Sequence, residues 1–95
     1  MGFLEFSPSA HFNDKDWDLV RATATELLNN HKDGESLTWK NEENGHNGKL
    51  TVLRTVAKYG TTCRSMEVVN DAVEVKTTRV VDMCKNKEGL WKVLN

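Results

Sequence analysis

The chain lacks the sequence features that are typical of membrane-spanning, disordered and nucleic-acid-binding proteins. No window approaches the roughly 18 consecutive apolar residues of a transmembrane helix. One proline and six glycines in 95 residues are too few for a low-complexity chain, and a hydrophobic content of 38% suffices for a folded domain. A net charge of −1 gives no general reason to bind nucleic acid. We therefore expect a folded chain without a nucleic-acid partner.

The opening residues, MGFLEFSPSAHF, lack the basic segment and long apolar segment of a secretory signal. The chain is therefore either cytosolic or a mature segment that has received a new initiator methionine. Because a chain of this length has room for one core, we expect a single domain over residues 1–95. It would comprise an N-terminal arm (1–12), a helix (about 14–30) and a sheet (about 35–95).

Charge is unevenly distributed along the chain. Residues 1–48 hold nine acids and four bases, whereas residues 49–95 hold five acids and nine bases. Two halves of opposite sign that pack together would partly neutralise each other, and this is the preferred interpretation. A functional basic face is the alternative.

An amphipathic helix is predicted near the N-terminus. Asn13 can cap it, and Asp14 and Asp16 place negative charge in its first turn, where the helix dipole favours it. Its apolar residues recur at helical spacing within one arc: Trp17, Val20, Ala24, Leu27 and Leu28. The helix is expected to stop at Asn30, Asp33 and Gly34.

After Gly34 the apolar pattern changes to that of strands. The candidates are ESLTW, KLTVLRTVAKY, TTCRSMEVV, VEVKTTRVVDMC and LWKVL. Turns are predicted at Tyr59-Gly60, at Asn70-Asp71 and over KNKEG. No helical crossover separates the strands, so the sheet should be antiparallel. The predicted class is α+β, with one N-terminal amphipathic helix packed on a curled antiparallel sheet of about five strands.

The two cysteines fall on the more polar face of their strands. Because side chains alternate between the two faces of a strand, Cys63 lies on the other face from Arg64 and Met66. Cys84 likewise lies on the other face from Met83. A tight turn at Asn70-Asp71 would leave the cysteines out of register, so a disulfide requires a longer loop or a bulge. Geometry alone leaves both a disulfide and two free thiols open.

The sequence shows no recognisable catalytic or metal-binding motif. Its histidines, His11, His31 and His46, have no metal-ligand spacing, and the cysteines form no C-x-x-C element. A phosphate-binding loop is also missing. We therefore expect no enzyme activity, no catalytic residues, no bound metal and no cofactor.

Three side chains remain as binding candidates. Arg64 and Arg79 fall on apolar strand faces, where a charge needs a partner or an open cleft, and Asp16 and Glu26 are possible partners. His46 lies in a loop with two Asn-Gly pairs, which favour turn conformations. It either binds a ligand at the tip of the loop or, as the preferred interpretation, is a solvated turn residue.

A set of ordered motifs resembles a known family. These are Gly34, WKN at 39–41, GHNG at 45–48, Arg54, YGTTCR at 59–64, MC at 83–84 and EGLWKV at 88–93. Their order and spacing resemble the C-terminal domain of bacterial surface-antigen lipoproteins of the rickettsial seventeen-kilodalton antigen type. The matching region spans roughly residues 17–94. The motif residues that the resemblance marks as structural are Trp39, Asn41, Gly45, Gly48, Gly89 and Trp91.

This resemblance implies a domain of a Gram-negative cell envelope, in the periplasm or on the outer-membrane surface. It also implies a disulfide between Cys63 and Cys84, and it brings no catalytic activity to transfer. Membrane attachment would depend on a lipid tether that this chain does not contain. A cytoplasmic location is the alternative if both thiols are free.

The leading hypothesis is a non-catalytic, surface-antigen-like envelope domain with a structural or protein-interaction role. Its partner would be a protein or an envelope polymer, and a homo-oligomer is possible. One alternative is a periplasmic inhibitor that inserts the 44–48 loop into an enzyme. Another is a small-ligand module or enzyme scaffold with a pocket enclosed by helix and sheet near Arg64 and Arg79.

Overall fold

The computed structural model describes residues 11–94, which form one helix followed by five strands. The elements are α1 (Asp14–Asn30), β1 (Ser36–Lys40), β2 (Asn47–Lys58), β3 (Thr61–Asp71), β4 (Lys76–Lys85) and β5 (Trp91–Val93). Neighbouring strands are antiparallel and follow one another in chain order. The sheet is curled but not closed, and the helix packs on one of its faces. The predicted α+β class is confirmed.

Helix α1 begins with a reciprocal pair of hydrogen bonds. The Asn13 side chain accepts from the backbone N–H of Asp16, and the Asp16 carboxylate accepts from the backbone N–H of Asn13, each at 2.9 Å. This capping box satisfies two backbone donors that a helix start otherwise leaves unpaired. The predicted cap and the predicted bounds of the helix are confirmed.

The β2–β3 hairpin contains a tight turn and a bulge. Tyr59 and Gly60 both have positive φ, as a two-residue hairpin turn requires, so the predicted break there is confirmed. In β2 the register shifts between Val52 and Arg54, which leaves Leu53 as an extra residue. As a result Thr55, rather than Arg54, is paired with Arg64.

The β3–β4 turn lies beyond the predicted position. Asn70 and Asp71 belong to β3 and pair with β4, so the prediction of a turn at these two residues is wrong. The chain instead reverses at Val73, whose φ is +71°, and the N–H of Ala72 donates to the carbonyl of Val75. The Asp71 side chain accepts from the N–H of Val73 at 2.8 Å, which favours a turn after Asp71 rather than at it.

The core fills the space between α1 and one face of the sheet. Its members with essentially no exposed surface include Val20, Leu27, Leu50, Val52, Met66 and Met83. At one edge Phe12 packs edge-on against Trp17 and Trp39, with ring centroids 5.4 and 5.3 Å away. The other face of the sheet, which we call the outer face, points away from the helix. Within residues 11–94, the helix is not long and apolar enough to cross a membrane.

Candidate functional site

The densest polar cluster surrounds Asp16 at the start of α1. Its carboxylate has no exposed surface. It lies 2.8 Å from Nδ1 of His46 and accepts hydrogen bonds from the side-chain amides of Asn41 at 2.8 Å and Asn44 at 3.3 Å. Together with the backbone N–H of Asn13, these groups surround both carboxylate oxygens. We call Asp16, Asn41, Asn44 and His46 the Asp16 cluster.

The Asp16 cluster keeps a buried carboxylate in its charged form. Burial by itself would raise the pKa of Asp16, because the charged form loses its hydration. The hydrogen bonds from the Asn13 backbone, His46, Asn41 and Asn44 favour the charged form and outweigh burial, so the pKa of Asp16 is lowered. A buried charge of this kind depends on its donors, and loss of one donor leaves it uncompensated.

His46 is not a solvated turn residue, so the preferred sequence interpretation is wrong. Only 14% of its side chain is exposed, and its ring stacks on that of Phe12, with the centroids 5.5 Å apart and the planes inclined by 28°. The ring turns inward because Asp16 provides an anionic partner beneath the loop. The loop that holds His46 is therefore fastened to the start of the helix. This contact gives His46 a structural role, while its predicted role in binding stays a prediction.

The other motif residues of this loop shape its backbone. The carbonyl of Asn41 accepts from the N–H of Gly45 at 2.8 Å, and Gly45 has a φ of +79° that favours glycine. Gly48 gives room to Trp39, because a Cβ at position 48 would lie 2.5 Å from the indole nitrogen. Trp39 and Gly48 are paired across β1 and β2. These residues let the loop reach Asp16.

Arg64 performs a similar role at the other end of the helix. Its guanidinium donates to the backbone carbonyls of Leu28 at 2.6 Å and His31 at 2.8 Å, and only 8% of the side chain is exposed. The last turn of α1 contains no basic residue. Arg64 therefore supplies from β3 the positive charge and the donors that a helix C-terminus favours.

The acidic partner of Arg64 is Asp33 rather than Asp16 or Glu26. Nη2 of Arg64 lies 3.2 Å from Asp33, and its Nε donates to the hydroxyl of Thr55 at 2.8 Å. The hydroxyl of Thr55 in turn donates to Asp33 at 2.6 Å, and this bond, together with Arg64, lowers the pKa of Asp33. The predicted pairing of Arg64 with Asp16 or Glu26 is wrong because the register brings it to the end of the helix.

The remaining predicted residues lie apart from the Asp16 cluster. Arg79 is an exposed residue of β4, paired with Val68. Gly89 has a φ of +83° in the turn before β5. Trp91 is buried, and its indole N–H donates to the side chain of Asn29 at 2.8 Å, which ties β5 to the helix. The structure thus does not bring His46, Arg64 and Arg79 into one site.

Cys63 and Cys84 form a disulfide on the outer face. They are directly paired in the register of β3 and β4, with Cα atoms 4.0 Å apart. This pairing is possible because the β3–β4 turn lies beyond Asn70-Asp71. A tight turn at those two residues would have left the cysteines out of register. The loop that the bridge closes is 21 residues long, and the chain-entropy model assigns such a loop about 3 kcal/mol of stabilisation.

A shallow cleft of about 260 Å³ lies beside the disulfide. Its lining combines apolar and polar side chains: Arg54, Val56, Cys63, Ser65, Asp82 and Leu94 are among them. The hydroxyl of Ser65 donates to Asp82 at 2.5 Å across β3 and β4. The cleft belongs to the outer face, whereas the space between helix and sheet is filled by the core.

The polar clusters among the described residues are suited to holding the fold together. Between residues 11 and 94, no group of three or more His, Cys, Asp and Glu side chains is arranged to hold a metal ion. The Asp16 cluster and the Arg64 contacts join the helix to the loops and the sheet. Both arrangements fix conformation, because nearly all of their polar atoms face other protein groups.

Sequence reasoning missed the central position of Asp16. The capping pattern from Asn13 to Asp16 was recognisable, and it placed Asp16 in the first turn of the helix. Nothing local indicates that a carboxylate there also receives side chains from residues 41–46. The same holds for Asp33 and Thr55, whose partner Arg64 comes from another strand. Such contacts depend on the packing of the helix on the sheet.

The fold and the clusters define a small, disulfide-bonded α+β domain whose polar motif residues hold a helix to a sheet. A family model described as 17 kDa outer membrane surface antigen matches residues 26–92. The chain belongs to this family, so the resemblance seen in the sequence is confirmed. No curated protein and no solved structure matched the chain. Family membership indicates an envelope location, and the disulfide is consistent with an extracytoplasmic one.

Proposed function

We propose that the protein is a non-catalytic domain of a Gram-negative envelope that binds a partner through the outer face of its sheet. It would lie in the periplasm or on the outer-membrane surface. The partner would be a protein or an envelope polymer. The observation that carries this proposal is the contrast between the two faces of the sheet.

The helix side of the sheet is occupied by contacts within the chain. The helix covers the core, and the Asp16 cluster and Arg64 hold its two ends. Side chains engaged in this way are poor candidates for recognition, because a ligand would have to displace charge-assisted hydrogen bonds. The chemistry of the motif residues therefore supports a scaffold rather than a reactive centre.

The outer face has the properties of an interaction surface. Three large apolar side chains are exposed on this side of the sheet: Val56, Val80 and Leu94. Of these, Val56 and Leu94 line the cleft beside the disulfide. Val56 is 45% exposed and Val80 is 59% exposed. Apolar residues gathered on one face, with polar residues around them, are a feature of protein interaction sites. The disulfide cross-links β3 and β4 at one end of the face, which reduces the ordering cost of binding there.

Site-specific photo-cross-linking in the native cell would test this proposal. A photoreactive amino acid is placed at Val56 or Val80 on the outer face, and at Ala22 or Thr25 on the exposed side of the helix as matched controls. We expect a discrete cross-linked product from the outer-face positions, with no such product from the helix positions. The partner identified by mass spectrometry is then purified, and its affinity for the protein is measured with and without Val56→Lys.

Three results would count against the proposal. Cross-linking from the helix positions that equals cross-linking from the outer face would mean that the outer face is not the binding surface. An affinity unchanged by Val56→Lys, in a variant with native stability, would mean the same. A catalysed chemical change in the purified partner would argue against a non-catalytic role.

A further inference from the structure

Two neighbouring turns form one end of the sheet. Residues 57–62 surround the β2–β3 turn, and residues 85–92 surround the β4–β5 turn. The hydroxyl of Thr61 donates to the carbonyl of Lys85 at 2.7 Å, so the two turns lie side by side. These residues hold four cations and one carboxylate: Lys58, Lys85, Lys87, Lys92 and Glu88. Four positive charges and one negative give this end a net charge of +3, and we call it the basic end.

The other end of the sheet has the opposite charge. Residues 41–47 contain the β1–β2 loop, and residues 70–76 contain the β3–β4 turn. They hold four carboxylates and one cation: Glu42, Glu43, Asp71, Glu74 and Lys76. One positive charge and four negative give this end a net charge of −3, and we call it the acidic end. Because the two ends differ in sign, a negatively charged surface would attract the domain with its basic end forward.

The lysines of the basic end have no carboxylate partner among residues 11–94. None of the ion pairs in this part of the chain includes one of them. Lys85 lies over the ring of Trp91, with its ammonium group 5.7 Å from the ring centroid. The other three are exposed: Lys58, Lys87 and Lys92. Their positive charge is therefore available to an anion outside the domain.

Tyr59 occupies the tip of the β2–β3 turn in a conformation that is unfavourable for tyrosine. Its φ is +56°, in the left-handed region, and asparagine, aspartate or glycine is usual at such a hairpin position. Its side chain is 74% exposed, so packing within the described domain does not explain a tyrosine there. The ammonium group of Lys58 lies 5.6 Å from the centroid of the ring. A strained and exposed aromatic residue points to a contact outside the chain.

The β4–β5 turn presents Leu90 beside it. Leu90 is 55% exposed. The side chain of Asn86 accepts from the N–H groups of Glu88 at 3.0 Å and Leu90 at 2.9 Å, so the turn is preformed. A tyrosine, an aliphatic side chain and exposed lysines are the types that lie together where a membrane meets water.

We infer that the basic end binds the surface of an anionic lipid bilayer, with Tyr59 and Leu90 inserted among the headgroups. The lysines would meet lipid phosphates, and the phenol of Tyr59 would lie at the level of the headgroups. The binding would be reversible, because only two side chains leave the water. The outer face would stay open to a partner, so this inference goes beyond the proposed function and rests only on its envelope location.

Other occupants of the basic end fit less well. The tips of two turns do not supply the roughly 800 Å² per partner of a stable protein interface. A soluble anionic polymer would use the lysines but would give Tyr59 and Leu90 no role. A second copy bound head to tail would match charge, but such a contact does not close and would build filaments. The acidic end also exposes an apolar turn residue, Val73, yet its carboxylates would be repelled by anionic lipids.

The test is a nuclear magnetic resonance titration of the isotope-labelled 95-residue chain with two kinds of vesicle. One kind contains equal parts of phosphatidylglycerol and phosphatidylethanolamine, the other contains phosphatidylcholine, and both carry a trace of lipid with a gadolinium chelate on its headgroup. With the anionic vesicles we expect broadened amide signals at residues 57–62 and 85–92, and unchanged signals at 41–47 and 70–76. The partition coefficient, measured by co-sedimentation at low salt, should be at least about tenfold larger for the anionic vesicles.

Two pairs of matched variants identify the contact. Tyr59→Asn introduces a residue that favours positive φ, so the fold should persist while the partition coefficient falls by about fivefold or more. Val73→Asn is the matched change at the acidic end, where Val73 is 69% exposed with a φ of +71°, and it should leave the partition coefficient unchanged. Lys87→Gln should lower the partition coefficient by about fivefold. Lys76→Gln, at the acidic end, should leave it unchanged.

Several results would overturn the inference. These are equal partition onto both kinds of vesicle, broadening at the acidic end, equal losses in Tyr59→Asn and Val73→Asn, or no detectable binding. A loss in Lys87→Gln without one in Tyr59→Asn would assign the basic end to a purely ionic contact, such as one with a soluble anionic polymer. Concentration-dependent changes at both ends without vesicles would assign it to a second copy. If any of these occurs while cross-linking from Val80 persists, the proposed function stands and only the membrane contact fails.

Discussion

The carboxylate of Asp16 and the imidazole of His46 lie 2.8 Å apart, although thirty positions separate them in the chain. This contact joins the first turn of α1 to the loop between β1 and β2. Arg64 joins the last turn of the same helix to β3 through the carbonyls of Leu28 and His31. Both ends of the helix are therefore held by side chains that come from the sheet or its loops.

Replacement of His46 should destabilise the fold rather than merely alter a surface. In His46→Ala, Asp16 keeps its burial but loses one charge-assisted donor, so the free energy of unfolding should fall by about 2 kcal/mol. His11→Ala, at an exposed position, should change it by less than about 0.5 kcal/mol. Urea unfolding at neutral pH measures both values, and equal effects would mean that the contact with Asp16 contributes no stability.

The contribution of Asp16 should depend on pH in a defined direction. Because its pKa in the folded protein is lowered from the ordinary value of 3.8, its stabilising effect is fully present above that value. It is lost as the pH falls through the folded pKa. The stability difference between the native protein and Asp16→Asn should thus shrink as the pH falls below about 4.

Urea unfolding at intervals between pH 7 and pH 2.5 would measure this difference. Asp14→Asn, at an exposed position of the same helical turn, is the matched control and should show a small difference throughout. A difference between the native protein and Asp16→Asn that stays constant down to pH 2.5 would contradict the prediction.

Arg64 should be far more important for stability than Arg54, another arginine of the sheet. Arg64→Leu leaves the carbonyls of Leu28 and His31 without their donor, so a loss of about 3 kcal/mol is expected. Arg54→Leu removes an exposed side chain and should cost less than about 0.5 kcal/mol. Thermal and urea unfolding would compare the two variants. Losses of similar size would show that Arg64 does not hold the helix end.

The disulfide should be present in the protein isolated from its native cell. Intact mass after alkylation, with and without reductant, distinguishes a bridged pair from two thiols. Replacement of both Cys63 and Cys84 by serine should reduce the free energy of unfolding by about 3 kcal/mol, the value expected for a loop of 21 residues. Two alkylated thiols in the unreduced native protein would contradict an extracytoplasmic location.

Gly48 should not tolerate a side chain. A Cβ there would lie 2.5 Å from the indole nitrogen of Trp39 and 2.5 Å from the carbonyl oxygen of Val69, which is a backbone atom and cannot turn away. Gly48→Ala should therefore cost about 1 to 3 kcal/mol, as overpacking generally does. Gly60→Ala, whose Cβ would meet no atom within 4 Å, should cost only about 1 to 2 kcal/mol for its positive φ. Denaturant unfolding with Trp fluorescence would test both.

Much of the architecture followed from local patterns. The cap at Asn13, the bounds of α1 and the reversal at Tyr59-Gly60 were all predictable, because each depends on residues that are neighbours in the chain. The assignment to the surface-antigen family also rested on motifs visible in the sequence. The β3–β4 turn was misplaced because Asn70 and Asp71 are usual turn residues, yet here they complete a strand.

The sequence by itself determined the α+β class, the family and the polar side of the strands on which both cysteines lie. Only the tertiary structure decided how the polar motif residues are used. A one-residue change of register would move Cys63 away from Cys84, and the partners of Asp16 and Arg64 come from distant parts of the chain. Local sequence encodes conformational preference, whereas the environment of a charge depends on which elements pack around it.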